Sequence, residues 1–173
     1  MSGFRGSGTL MLGAGWLVII AIVYWVFHGW TEREANPNRT LATSPAGEVV
    51  LQRNRAGQFV AEGEVNGRRV TFLLDTGATH VALPAQLARE LKLKLGPALT
   101  LQTAGGTAVG YPARLESVRL GGIEMRDVAA LVSEGMDPGL ALLGMNFLKR
   151  LEMIQRGNQL ILKPLPHASA PAR

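Results

Sequence analysis

Two segments of alternating polarity, joined by Asn66-Gly67, are the feature that most constrains the fold. Residues 59–65 alternate small or apolar side chains with larger or charged ones, and residues 69–74 repeat the alternation. Asn-Gly supplies the positive φ angles that a two-residue hairpin turn requires. The pattern therefore predicts an antiparallel β-hairpin whose second strand runs directly into Asp75.

Further strands are predicted from short apolar segments separated by turn residues. These segments cover residues 99–103, 109–120, 123–132 and 159–162. Glycine pairs at 105–106 and 121–122 fall at turns between them. Antiparallel strands of this kind need closed or covered sheet edges. We therefore predict a mainly β domain.

One brief helix is predicted after Pro84. Leu87, Leu91 and Leu95 recur at helical spacing, and a proline suits the first turn of a helix. Gly96-Pro97 then ends the apolar repeat.

The first thirty residues carry a pattern that is not typical of a globular domain. No Asp, Glu, Lys or Arg lies between Arg5 and Glu32, and residues 10–27 are long and apolar enough to cross a hydrocarbon core of about 30 Å. Aromatic rings that suit the headgroup level lie at the far end: Tyr24, Trp25 and Trp30. A cleaved signal peptide is the rival interpretation, but it predicts a shorter apolar core followed by small residues. We expect residues 1–30 to form an uncleaved membrane anchor.

The remaining chain divides by composition into a linker, a domain and a tail. Residues 31–47 are polar and contain two prolines, which predicts a flexible linker. Residues 164–173 contain three prolines and predict a disordered tail. Residues 48–163 are left for one folded domain.

Composition excludes several kinds of site. The chain has no cysteine, so disulfides and cysteine nucleophiles are excluded. The net charge is +5, but the basic residues are scattered without interleaved aromatics, so we do not expect nucleic-acid binding. His80 has no histidine near it in the domain, because His28 and His167 lie in the anchor and the tail. We therefore expect no metal site and no cofactor.

Two short motifs carry the chemistry. Asp75-Thr76-Gly77 follows the apolar run Phe72-Leu73-Leu74 and precedes Ala78-Thr79. A bare triplet of this kind arises by chance in about one chain in thirty of this length, and an Asx-type turn is its structural alternative. The second motif is Ala141-Leu142-Leu143-Gly144, which alone fits an ordinary core strand that reaches a turn.

Together, in this order, the motifs resemble those of the aspartic proteases, over about residues 49–163. The triplet matches the active-site motif of that family, and the second motif matches its apolar pair and glycine that thread behind the catalytic loop. The other aspartates, Asp127 and Asp137, match neither motif. The chain therefore resembles the single-lobe, retropepsin-like members, and among them the membrane-anchored bacterial ones, rather than the two-lobed pepsins.

The resemblance implies a fold and a division of roles. The fold is a single-lobe retropepsin-like acid protease barrel with one short helix after the catalytic loop and one near the C-terminus, here residues 145–150, preceded by the transmembrane helix. Asp75 is implied as the catalytic residue, completed by the Asp75 of a second chain in a homodimer. The implied supporting residues are Thr76, Gly77 and Ala78 in the active-site loop, Ala104, Gly105, Gly106 and Thr107 in a substrate-binding flap, and Leu142, Leu143 and Gly144 behind the loop.

The chemistry that follows is hydrolysis without a covalent intermediate. Two neighbouring carboxylates cannot both ionise cheaply, so the pair holds one proton. One carboxylate acts as a base toward water while the protonated one polarises the peptide carbonyl. The expected function is aspartic endopeptidase cleavage of protein or peptide substrates near the membrane.

The residues alone leave two alternative functions and the membrane topology undecided. The same fold could serve as a catalytically silent, membrane-tethered module that binds peptides. The triplet could also be accidental in a membrane β-domain. Arg5 before the span and Arg33 and Arg39 after it do not decide the orientation. The resemblance implies a single-pass inner-membrane protein with its protease domain in the periplasm.

Overall fold

The computed structural model describes residues 35–41, 47–103 and 106–165. Contacts divide the chain into two units after Ala35, and the strands and helices with the bounds given below lie in the second unit, Asn36–Arg173. The predicted anchor at residues 10–27 and the predicted tail from residue 166 onward lie outside the described residues. Within those residues, no helix is long and apolar enough to cross a membrane.

Ten strands and two short helices make up the part of the chain that the structure describes. The strands are β1 (Val49–Gln52), β2 (Val60–Val65), β3 (Arg68–Leu74), β4 (Val81–Pro84), β5 (Leu99–Thr103), β6 (Gly106–Leu120), β7 (Ile123–Ser133), β8 (Ala141–Leu143), β9 (Leu151–Arg156) and β10 (Gln159–Pro164). The helices are α1 (Ala85–Glu90) and α2 (Met145–Leu148). The domain is mainly β, as its sequence predicts.

Six of the strands close into a barrel. They follow the order β2-β3-β8-β4-β7-β6, and pairing between β2 and β6 joins the two ends of this sheet. Closure leaves no free edge within the barrel itself. β5 extends the sheet beyond β6, and β1, β10 and β9 form a separate antiparallel sheet. The barrel agrees with the fold that the resemblance implied.

The Asn66-Gly67 hairpin forms as predicted. Val65 pairs with Arg68, and the turn residues have φ angles of 48° for Asn66 and 78° for Gly67. Both angles are positive, as in the turns whose twist matches that of antiparallel strands. The hairpin sets the register of β3 and hence the position of Asp75 at its end.

The other predicted strands are confirmed, and three were missed. β5 has the predicted bounds, while β6, β7 and β10 are each longer than predicted. The missed strands are β1, β4 and β9. β1 and β4 have four residues each and do not alternate apolar with polar residues in sequence, and β4 ends in the proline that marked the helix start.

Helix α1 ends earlier than its apolar spacing predicted. Lys92 has a φ angle of 52°, its N–H donates to the Arg89 carbonyl, and the Leu93 N–H donates to the Ala88 carbonyl. These two bonds form a Schellman motif, which usually has a glycine at the left-handed position. Because lysine occupies that position, no glycine marks the end of the helix before Gly96, and Leu95 was wrongly placed in the helix.

One continuous core joins the barrel to the second sheet. Phe72 and Phe147 are its largest fully buried side chains. Val49, Leu51 and Leu162, from β1 and β10, belong to the same buried cluster. The sheet of β1, β10 and β9 is therefore part of the fold that supports the end of β3.

Part of the predicted flexible linker is packed against the barrel. Asn36 and Asn38 are buried, and Asn38 forms a parallel bridge with Ala61. The Asn38 side chain donates to the carbonyls of Gln52 at 2.8 Å and Val60 at 2.6 Å, and it accepts from the Gln52 N–H at 2.7 Å. These bonds tie the end of β1 to the start of β2. The linker prediction fails at Asn36 and Asn38, because amide side chains that are typical of polar loops form buried hydrogen bonds here.

Candidate active site

Asp75 lies in a tight turn at the end of β3. Its N–H donates to the Leu143 carbonyl at 3.2 Å, and its own carbonyl accepts from the Ala78 N–H at 3.2 Å. The Gly77 N–H donates to Oδ1 of the Asp75 carboxylate at 2.8 Å. Asp75 is half-buried, whereas Thr76 and Gly77 are exposed. The turn therefore fixes the carboxylate and leaves it open to approach from outside the chain.

Strand β8 lies directly behind this turn. Leu74 pairs with Leu143 in a parallel ladder, and Leu142 pairs with Ala82 of β4 in an antiparallel one. β8 is thus hydrogen-bonded to the strand that enters the Asp75 turn and to the strand that leaves it. The structure brings the two sequence motifs together, although 66 positions separate Asp75 from Ala141.

The start of α2 also holds the turn. The Met145 N–H donates to the Ala78 carbonyl at 2.7 Å, and the Asn146 N–H donates to the Thr79 carbonyl at 3.0 Å. These N–H groups belong to the first helical turn, where no partner exists within the helix. The loop after Asp75 and the start of α2 therefore satisfy each other.

Gly144 allows this close approach. A Cβ atom at this position would overlap the backbone carbonyl of His80 and lie 2.8 Å from the Ala78 carbonyl oxygen. Both neighbours are backbone atoms, which cannot move away as a flexible side chain could. The glycine of the second motif is therefore required by contact with the loop.

Asn146 is a site residue that the sequence did not reveal. Its Oδ1 accepts from the Val81 N–H at 2.9 Å, and its Nδ2 donates to the Ala129 carbonyl at 2.6 Å. It thereby joins β4 and β7 beneath the Asp75 loop. Its partners are distant in sequence, so no local pattern could have identified this role.

The predicted flap residues lie at the β5–β6 hairpin. Ala104 and Gly105 fall outside the described residues, whereas Gly106 and Thr107 are exposed in β6. Gly106 pairs with Thr103 and has a φ angle of 109°, which favours glycine. β5 and β6 pair in an antiparallel arrangement, and the flap role of these residues stays a prediction.

Asp75 opens onto a hollow of about 560 Å³. Its lining combines apolar side chains with a few polar ones: Arg53, Gly57, Gln58, Phe59, Leu73, Leu74, Asp75, Thr76, Leu148, Met153, Gln155 and Leu160. Arg53 and Asp75 are the charged residues in this lining. The hollow is large enough to receive side chains from another molecule.

The other described aspartates have structural partners. Asp127 forms an ion pair with Arg114, with 2.7 Å between Oδ1 and Nε. Asp137 accepts the Gly139 N–H at 2.8 Å, as in an Asx turn. His80 contributes its carbonyl to the contact with Gly144, and the described residues contain no group of three potential metal ligands. Asp75 is the aspartate that the fold leaves open beside the hollow.

Residues 61–150 match the family described as gag-polyprotein putative aspartyl protease. This range contains both motifs and the strands that bring them together. The chain belongs to the retropepsin-like aspartic proteases.

Individual relatives agree with this membership. An uncharacterised Sinorhizobium protein, encoded in the cobV 5′ region, is 34% identical over 167 residues, covering 87% of this chain and 70% of that protein. An uncharacterised protein of Rickettsia prowazekii (strain Madrid E) is 30% identical over 123 residues, covering 69% of this chain and 52% of that protein.

A solved structure shares the retropepsin-like fold. The crystal structure of a retropepsin-like aspartic protease from Rickettsia conorii is 32% identical and covers 67% of this chain and 90% of the other. The TM-score is 0.55. Membership in this family and this fold support a protease function in general terms.

Proposed function

We propose that the protein is a membrane-anchored aspartic endopeptidase whose active site forms between two identical chains. The observation that carries this proposal is the Asp75 turn. A carboxylate is held by the Gly77 N–H and by β8, yet remains open on the side of the hollow. Each chain supplies one such carboxylate, and the dyad chemistry of the family needs two.

The surface around Asp75 supports pairing of two chains. β9 is an outer strand of the sheet formed by β1, β10 and β9, so its outer side has no strand neighbour among the described residues. Met153 and Gln155 of β9 line the same hollow as Asp75. A second chain that approaches Asp75 closely enough to share a proton would also cover part of β9. In a twofold dimer, the same patch of each chain would meet its copy.

In this dimer the two Asp75 carboxylates hold one proton between them. The ionised carboxylate removes a proton from water as the water attacks the peptide carbonyl carbon, while the protonated carboxylate donates a hydrogen bond to the carbonyl oxygen. Proton transfer to the amide nitrogen then lets the C–N bond break. The Gly77 N–H orients one carboxylate oxygen and leaves the other oxygen available for this chemistry.

Two neighbouring elements have supporting roles in the proposal. Exposed Thr76 meets the partner chain and braces the paired loops. The β5–β6 hairpin, with Gly106 and Thr107 near its end, closes over an extended substrate and excludes water.

We also propose that residues 10–27 anchor the chain in the inner membrane with the protease domain in the periplasm. The apolar composition of that segment and its terminal aromatic residues support the anchor.

Peptide hydrolysis by the full-length protein in detergent tests the catalytic proposal. Asp75→Asn keeps the side chain's shape but cannot share the proton, so cleavage of a mixed peptide library should fall by at least about 1000-fold, as when catalytic groups are removed elsewhere. Asp137→Asn is the matched control, because asparagine also accepts the N–H bond of an Asx turn, and it should retain full activity.

The same pair of variants separates the peptidase from the silent binding module. Cleavage by wild type and Asp137→Asn but not by Asp75→Asn supports the peptidase. Peptide binding without cleavage by the wild-type protein supports the module. Equal cleavage by Asp75→Asn and wild type removes Asp75 from the mechanism.

A further inference from the structure

The loop from Arg53 to Gln58, between β1 and β2, is held in a fixed shape beside the hollow. Asn54 organises it, since its carbonyl accepts the Gly57 N–H at 3.0 Å and its side-chain Oδ1 accepts the Gln58 N–H at 2.8 Å. The Arg53 N–H donates to the Asn158 carbonyl at 2.8 Å. This bond ties the loop to the β9–β10 turn. The Arg53 side chain therefore projects from a defined backbone position.

The Arg53 guanidinium lies over an aromatic ring. Its Cζ is 5.0 Å from the centre of the Phe59 ring, within the range of a cation–π contact. Its Nε is buried and finds no hydrogen-bond acceptor among the described residues. The ion pairs between described residues do not include Arg53. The contact with Phe59 orients the cation without neutralising it.

The hollow offers Arg53 little negative charge within its own chain. Apart from Asp75, its lining contains no acidic residue within the described part of the chain, and the remaining large side chains are mostly apolar. Asp75 is committed to the catalytic pair under the proposed function. An unneutralised guanidinium in such surroundings favours a carboxylate from another molecule.

A second copy of this chain does not supply that carboxylate from the same surface. In a twofold interface the partner presents the same hollow, and among the described residues the lining of this hollow contains no acidic residue except Asp75. Glu152 of β9 is exposed, but it neighbours Met153, and successive side chains of a strand point to opposite faces. Met153 lines the hollow, so Glu152 points away from it.

We propose that Arg53 is a specificity-determining residue that binds an acidic side chain of the substrate. This inference rests on the proposed function and assigns a substrate class to it: extended peptides with Asp or Glu at one fixed position relative to the cleaved bond. The planar guanidinium can donate two parallel hydrogen bonds to a carboxylate. The apolar lining then accommodates the neighbouring side chains of the same peptide.

Paired peptides that differ only by Glu or Gln at one position test this inference. Such pairs would scan each position around the cleavage sites that the full-length protein selects from a library. Wild type should cleave the Glu peptide about 10- to 100-fold better in kcat/KM at one position, as for hydrogen bonds to charged groups. Arg53→Met should bring this ratio close to one while still cleaving the Gln peptide. Arg126→Met is the charge-matched control, because Arg126 is exposed on β7 and pairs with Glu124, and it should keep the wild-type ratio.

Either of two results would overturn this inference and leave the proposed function intact. One is a wild-type ratio near one at every position, and the other is a ratio that survives in Arg53→Met. If Arg53→Met does not fold, Arg53→Lys decides: it keeps the charge but loses the planar fork, so the ratio should fall severalfold, and an unchanged ratio counts against the inference.

Failure of the proposed function gives a different result. In that case wild type and Asp75→Asn would show the same lack of cleavage. The Arg53 inference would then be decided by equilibrium binding, measured by fluorescence anisotropy, of labelled Glu and Gln peptide pairs based on library peptides that the wild-type protein binds. Tighter binding of Glu peptides that is lost in Arg53→Met supports the acidic subsite, and equal affinity for Glu and Gln peptides overturns it.

Discussion

Gly144 lies directly against the backbone of His80, so that no side chain fits between the end of β8 and the loop that follows Asp75. This contact brings the Met145 N–H within 2.7 Å of the Ala78 carbonyl oxygen. The Asp75 turn and the second motif are therefore one packed unit. Its geometry depends on a missing Cβ atom.

Replacing Gly144 by alanine should disturb this unit. The added methyl group must displace backbone, and overpacking of this kind costs about 1–3 kcal/mol or more. Gly144→Ala is therefore expected to lower the thermal unfolding midpoint of the full-length chain in detergent and to reduce peptide cleavage. Gly135→Ala is the control, because nothing lies within 4 Å of a Cβ at that position. Equal midpoints for both variants would contradict the packing argument.

The sequence predicted the elements whose causes are local. The Asn66-Gly67 turn and the apolar run before Asp75 can be predicted from the sequence, because the residue preferences that form turns and alternating strands extend over only a few residues. α1 is followed by Lys92 in a left-handed conformation, and a glycine at this position would have predicted the end of the helix from the sequence. The placement of β8 behind the Asp75 turn came from family resemblance, since no local pattern specifies a parallel neighbour.

The roles of Asn146 and Asn38 could not be predicted from the sequence. Each satisfies backbone groups from segments that are far away in the chain. The partners become neighbours only when the barrel closes, so composition cannot distinguish these asparagines from loop residues. Asn38 accordingly fell within the predicted linker, although it is 4% exposed.

Asn146→Ala should weaken the support beneath the active site. The change leaves the Val81 N–H and the Ala129 carbonyl without their partner, and an unsatisfied buried group costs about 1–3 kcal/mol. We expect a lower unfolding midpoint together with a reduced kcat, because a small displacement of catalytic groups is costly. Asn158→Ala, in the exposed β9–β10 turn, is the control. Wild-type kcat in Asn146→Ala would show that this brace does not position Asp75.

Asn38→Ala tests whether the packed domain begins before β1. The variant loses three side-chain hydrogen bonds with the backbone of Gln52 and Val60. We expect destabilisation of at least about 2 kcal/mol, measured by denaturant titration at fixed protein concentration. Thr40→Ala, at an exposed position of the same segment, should stay within about 0.5 kcal/mol of wild type. Similar stability of both variants would restore a flexible linker through residues 36–41.

The proposed anchor predicts how the protein leaves the membrane. Detergent should release the full-length chain, whereas high salt and alkaline carbonate should not, because residues 10–27 would be inserted rather than adsorbed. Fractionation followed by immunoblotting measures this directly. Recovery of a soluble chain that starts after Trp30 would instead indicate a cleaved signal peptide. Reporter fusions at either end would test the proposed orientation, with the amino terminus inside.

Mixing wild-type and Asp75→Asn subunits tests the dimeric site most directly. If subunits exchange and all chains are dimeric, an equal mixture places about half of the wild-type chains opposite a mutant. Such mixed dimers lack one carboxylate. Activity at constant wild-type concentration should therefore fall to about half, and it should keep falling as more mutant is added, following random pairing. The measurement is the initial rate of peptide cleavage across a series of mixing ratios.

Two controls make this prediction decisive. Sedimentation must show that both proteins are dimeric before mixing, since weakly associating mutant subunits could otherwise recruit idle wild-type monomers and raise the rate. Asp137→Asn subunits, which keep Asp75, should leave the activity per wild-type chain undiminished at every ratio, because each mixed dimer retains both Asp75 carboxylates. If exchange is demonstrated and activity stays flat with Asp75→Asn, one chain contains a complete site. The group that acts with Asp75 must then lie within the same chain.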